Sequence, residues 1–175
     1  MFGISQLIGG DAVTQYAPIP VPPLQDLSWR RAETIARVFR AKGKSNPIIV
    51  AAVANALAES AWKPVIVGDH GESFGPWQCK FAYYGAPILA ATNVDIRTEP
   101  DLAKHVDAVC WLIWDWRNGA QWPFADVAAS LDKATTGADA TRIWAAGFER
   151  ASAGGAVDRR VAIAPTIEAW LAKLP

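Results

Sequence analysis

The chain has 175 residues, enough for one domain with a sizeable core, and its 51% hydrophobic and 19% charged residues make it globular rather than disordered. Its 17 basic and 17 acidic residues cancel, which excludes bulk electrostatic attraction to nucleic acid, so any polymer must be held by a shaped groove. No uninterrupted apolar run is long enough to span a membrane, and no membrane insertion is expected. The two cysteines, Cys79 and Cys110, are too few for a disulfide framework. Whether they bond to each other stays open, although Cys110 sits in an apolar helical run where a small core residue fits.

In chain order, Met1 to Gly10 is apolar but broken and short, with no basic n-region, and does not make a signal peptide. Residues 1–27 form a Pro-rich arm or linker, since Pro18-Ile19-Pro20-Val21-Pro22-Pro23 favours extended structure. The compact domain spans 28–175. It opens with Ser28 as N-cap, then Ala32, Ile35, Ala36 and Phe39 at helical spacing until Gly43 stops the run. Ser45-Asn46-Pro47 starts a second helix, apolar nearly all round from Ile48 to Ala58, as a helix buried mid-domain is. Asn55 and Glu59 are its polar interior members, four residues apart on one face. Pro64 is expected to end it. Val65-Ile66-Val67, the turn Gly68-Asp69-His70-Gly71 and the return from Ser73 to Gln78 predict a short β-hairpin. The remainder reads helical. Thr98-Glu99-Pro100-Asp101 is a helix start, followed by a stripe of Leu102, Val106, Val109, Ile113 and Trp116. Further helices are predicted near 124–134, 139–151 and 158–172, with Pro165 bending or breaking the last. The fold class is therefore mainly α, with a small β element beside a candidate acid.

Glu59 is that acid. Flanked by Ala58, Ala61 and Trp62 at the end of an apolar helix, it should be partly desolvated, and desolvation favours the protonated form that a general acid needs. The plainer reading is a surface glutamate paired with Lys63. Asp69 adds a second carboxylate, Glu72 is a nearby substitute, and several hydrogen-bonding side chains follow. A protonated acid facing a polar wall across a cleft is what glycosidic-bond cleavage requires. Ser73 and Gln78 would form that wall, with Ser60 beside the acid, unless Ser73 only caps the turn. The nine tryptophans are mostly core material, but Trp62, Trp77, Tyr83 and Tyr84 are candidates for stacking on sugar faces. His70 is placed to titrate near the site or simply to be solvated. Gly71-Glu72-Ser73-Phe74-Gly75 also spells the G-x-S-x-G of serine hydrolases. That elbow needs alternating strands and a late histidine, and the only histidine downstream of it is His105. A zinc site from His70, Cys79, His105 and Cys110 has no compact ligand spacing.

Glu59-Ser60, Pro64, Gly68-Asp69, Ser73, Gly75 and Gln78 resemble the lysozyme-like superfamily, and most closely the phage tail lysozyme group. That group's pattern runs roughly E-S-x-x-x-P-x-x-x-G-D-x-G-x-S-x-G-x-x-Q, with a minor departure here at Pro76. The resemblance continues through the helix Arg30 to Lys42, the helix Asp101 to Trp116 and the element Phe148-Glu149-Arg150, covering roughly residues 29–172. It implies a lysozyme-like fold and a muramidase that cuts the β-1,4 bond between N-acetylmuramic acid and N-acetylglucosamine. Glu59 would protonate the departing oxygen, and Asp69 would stabilise charge on the sugar or orient water. Lytic transglycosylases of the superfamily dispense with the second carboxylate, so anhydromuramyl products are an alternative. A non-catalytic glycan-binding or structural virion module is another. The implied partner is the glycan strand of bacterial peptidoglycan, with other virion or tail proteins engaged through the arm, and with no metal or organic cofactor. A bacteriolytic hydrolase acting at the cell wall, virion-associated or held in the cytoplasm until release, is the expectation that results.

Overall fold

A computed structural model describes residues 17–117, 123–151 and 155–175. The Met1–Gly10 stretch and the first part of the Pro-rich arm lie outside the described residues. Helix α1 (Trp29–Ala41) buries Trp29, Ala32, Ile35, Ala36 and Phe39 along one stripe, as the spacing predicts. Ser28 does stand at its N-cap, but its hydroxyl caps nothing. Instead Asp26 Oδ1 accepts the Ser28 backbone N–H at 2.7 Å, because Asp26 already faces the free amide end. Helix α2 (Asn46–Ser60) takes Pro47 in its first turn and buries every residue from Ile48 to Leu57.

Three two-residue strands follow, β1 (Val67–Gly68), β2 (Ser73–Phe74) and β3 (Cys79–Lys80), paired antiparallel in that order. Val67 lies opposite Phe74, and Phe74 opposite Cys79. The predicted hairpin is there, with a third strand added beyond Gln78. Helix α3 (Phe81–Thr92) leads to α4 (Leu102–Cys110), which runs on as one π-helical turn, Trp111–Asp115. Asp101 is a true N-cap, its carboxylate accepting the Ala103 N–H at 2.8 Å. Helix α5 (Ala125–Lys133) precedes α6 (Gly137–Ile143), which also ends in a π-helical turn, Trp144–Phe148, and α7 (Ala156–Leu171) closes the domain. The helix α7 is not broken at Pro165. Pro165 is exposed, while Ile163, Ala164, Ile167 and Trp170 are buried. Packing on both sides of the proline outweighs one missing backbone hydrogen bond.

Helix α2 lies in the middle, with α1, α6 and α7 packed around it. Aromatic side chains fill the gaps: Trp29 contacts Trp62 and Trp170, and Phe39 contacts Trp77 and Trp144. The described part of the Pro-rich segment lies against this body. Ile19 and Val21 pack on the core, and the Pro22 carbonyl accepts the Trp29 indole N–H at 3.1 Å. Among the described residues no helix is long and apolar enough to cross a membrane.

Candidate active site

The end of α2 aims Glu59. The helix stops before Pro64, because Ala61 and Trp62 both turn left-handed, at φ 51° and 61°. The Ala61 and Trp62 amides close back on the Leu57 and Ala56 carbonyls at 3.0 and 3.2 Å. This costs strain for two non-glycine residues. It is held by the Trp62 indole, which is fully buried and donates to the Val53 carbonyl at 2.8 Å. Trp62 is thus a core residue and has no face to offer a sugar. The turn leaves Glu59 at the wall of a cleft of about 1000 Å³, also lined by Asp69, Trp77, Gln78, Tyr83 and Tyr84. The partner of Glu59 is Arg160 of α7, not Lys63.

The opposite wall is the small sheet and its turns. Asp69 sits at φ 46° in the turn after β1, a conformation that Asp tolerates better than most residues. The Ser73 hydroxyl, fully buried, donates to Asp69 Oδ2 at 2.7 Å and fixes the carboxylate's direction. Gln78 is also left-handed, at φ 48°, and its side-chain amide donates to the Gly75 carbonyl at 2.9 Å. Its Oε1 lies over Gly68, so a side chain at that position would displace the Gln78 amide. Beneath the turn, His105 packs against Gly75 and its Nε2 meets the Glu99 carbonyl at 2.8 Å. Burial pushes the His105 ring below its ordinary value, as fits a neutral support.

Behind Glu59 lies a group that the sequence reading did not single out for a role. Glu149 follows the π-helical turn of α6, and its side chain is 4% exposed. Arg160, whose side chain is 9% exposed, reaches Glu59 through Nη2 and stands 3.2 Å from Glu149 Oε2 through Nε. Burial first, and then the charge of Glu59, push the Glu149 carboxyl well above the ordinary range, with Arg160 pulling the other way. Unfolded glutamate titrates at about 4.3. Above that pH the native state keeps a proton that the unfolded chain releases, so this group makes stability fall as pH rises toward its folded value. The slope is at most about 1.4 kcal/mol per pH unit. Glu149→Gln has no such proton, and its urea midpoint is expected to gain on the wild type between pH 4 and 7. A gap that does not change with pH would contradict this.

The cleft brings Glu59, Asp69, Gln78 and Tyr83 together, and Tyr83 is 67% exposed there. Trp77 lines the cleft but offers it little surface: it is 3% exposed and donates its indole N–H to the Ala52 carbonyl at 3.0 Å. Ser60 is buried, and its hydroxyl returns to the Ala56 carbonyl at 2.9 Å rather than facing the cleft. Glu72 points outward, 3.6 Å from Lys80, with its side chain 68% exposed. Cys79 and Cys110 are free and buried, and burial pushes both thiols up to about 12. Among the described residues no group of His, Cys, Asp and Glu could hold a metal ion. Ser73, buried on a two-residue strand and engaged by Asp69, has no nucleophile's setting. Arg150 and Trp116 also line the cleft. The Phe-Glu-Arg element was the available signal for Glu149 and Arg150, whereas nothing near Arg160 in the sequence marks it.

No curated protein matches the chain, and no solved structure does. The family model of the phage tail lysozymes matches residues 30–171, which takes in α1, the acid at the end of α2, the sheet and α7. With that span, and a mainly helical fold carrying a small antiparallel sheet beside the cleft, the chain belongs to the phage tail lysozyme family, a lysozyme-like group of cell-wall-lytic enzymes.

Proposed function

We propose that the protein is a muramidase, cleaving the β-1,4 bond between N-acetylmuramic acid and N-acetylglucosamine, with Glu59 as general acid and Asp69 as the second carboxylate. The observation that carries this reading is the cleft that Glu59 and Asp69 share, coming from a helix end and from a turn. Two carboxyls on facing elements suit proton donation to a leaving oxygen and stabilisation of the positive sugar. Ser73, by holding Asp69 Oδ2 at 2.7 Å, keeps the free oxygen aimed outward. Tyr83, Tyr84 and Trp116 offer aromatic faces to the sugar rings. Arg150, exposed on the same cleft, suits the carboxylates on peptide-bearing muramyl residues. The Pro-rich arm of residues 1–27 would tether the domain to another virion protein.

The test is a mass spectrum of fragments released from purified peptidoglycan. Reducing muramic-acid ends are expected. Anhydro ends would make the protein a lytic transglycosylase, and the absence of fragments on wall material that a known lysozyme digests would leave a glycan-binding module. Asp69→Asn, which keeps a residue at ease in the left-handed turn, is expected to lower the rate at least about tenfold, in line with loss of a transition-state charge partner. Full activity in that variant would assign the chemistry to Glu59 alone or bring Glu72 into play.

A further inference from the structure

Two carboxyls and one guanidinium meet behind the cleft, and among the described residues no other cation pairs with Glu149. With both acids ionised, the group carries a net negative charge in a place where Glu149 and Arg160 are 4% and 9% exposed. Interior charge without compensation is expensive. The hydrogen-bond geometry makes the same demand. Both Glu149 oxygens are buried without a well-aligned donor: the Trp144 indole N–H is the neutral donor beside them, and Arg160 Nε, although 3.2 Å away, is not aligned to give a bond. Two carboxylates cannot hydrogen bond to each other, whereas a carboxylic acid and a carboxylate can. One proton placed between Glu149 and Glu59 cancels the excess charge and gives a buried oxygen a donor.

We propose that Glu149 is a positioning residue for the acid: it and Glu59 hold one proton between them beside Arg160, and the place of that proton governs when Glu59 can donate. The inference rests on the reading of Glu59 as general acid. Arg160 touches both carboxyls, so it can accompany the negative charge whichever of them carries it. When Glu59 gives its proton to the departing glycosidic oxygen, the new carboxylate already faces Nη2 of Arg160. The proton is returned by the water that attacks the sugar, so the group ends each cycle as it began. The charged and titratable groups that face Glu149 are Glu59 from α2, Arg160 from α7 and the Cys79 thiol from β3, with Arg150 next in the chain and the Trp144 indole beside it. The thiol stays neutral, pushed up to about 12, which leaves Glu59 as the one partner for the proton.

The test has two readouts on the full chain. In the wild type, carboxyl carbon NMR across pH 3 to 9 is expected to show each of the two signals inflecting at both titration steps, as coupled sites do. In Glu149→Gln the second inflection is expected to disappear. The alkaline limb of peptidoglycan cleavage should then shift to lower pH by about one unit or more, with KM unchanged. Glu149→Asp, which keeps a carboxyl, should restore part of the shift. Single-step inflections in the wild type, or a double inflection that persists in a folded Glu149→Gln variant, overturn the proposal, as does a loss of rate that is uniform with pH. Coupled titration in a wild type that releases no glycan fragments would support the shared proton and refute the glycosidase reading instead, so the two failures are distinct.

Discussion

Glu59→Gln is expected to fold as the wild type does and to lose peptidoglycan cleavage by about 10²–10⁴-fold, the usual contribution of a positioned general acid. The fold should survive because the substitution does not strand a charge. Arg160 keeps Glu149 at 3.2 Å, and with the Glu59 charge gone Glu149 loses one of the two main causes that hold it protonated. Glutamine keeps the shape of the side chain and can still accept from Arg160, so the turn at Ala61 and Trp62 has no reason to move. The measurement is the rate of soluble fragment release, run beside a thermal melt. A folded variant with wild-type rates would remove Glu59 from the acid's role and with it the main support for a glycosidase.

Arg160→Met should have the larger effect on stability. The methionine stem fills most of the volume of the arginine stem, but two carboxyls then face each other with no cation. Breaking a nearly buried ion pair from one side costs about 3–5 kcal/mol, and that loss is expected at pH 7 in urea titration. The sign with pH follows from the protons. Without Arg160 the native state retains protons on the pair that the unfolded chain gives up above about pH 4.3. The destabilisation therefore grows as pH rises through that value and shrinks again on acidification. A deficit of equal size at pH 4 and pH 7 would mean that the guanidinium serves packing rather than charge.

The sequence makes the helices and the acid legible for one reason, and hides the rest for another. Helix α2 can be read because it is apolar all round, and Glu59 stands out against that background. The turn Gly68 to Gly71 can be read because Asp69 and Gly71, two of its positive-φ positions, carry residue types that tolerate that region. Periodicity carries no information about which side chain meets Glu59 from 101 positions away. Arg160 on α7 looks like one more surface arginine beside Arg159 until the helix is docked. Trp62 is misleading in the same way: next to the acid in sequence, it folds back beneath α2 to cap Val53 and faces the core. Ser60 follows it, since at the end of a helix a serine finds a carbonyl one turn back before it finds a cleft. Pro64 looked like the terminator of α2, but the left-handed pair at Ala61 and Trp62 had already turned the chain.

The sheet has a consequence for how the two walls of the cleft behave in time. Strands of two residues each do not hold together by their own ladder. The wall that bears Asp69 is kept in place by what lies under it: His105 against Gly75, the Trp77 indole on the Ala52 carbonyl, and Phe74 edge-on to Phe81 at 5.9 Å. The other wall is the end of α2, the most enclosed helix of the domain. One side of the cleft thus opens with the whole molecule and the other can open alone, as a local unit of lower stability. The amides of β1 to β3 should exchange with solvent through such openings while those of α2 wait for global unfolding, and a long glycan could enter from the side without the acid leaving its seat.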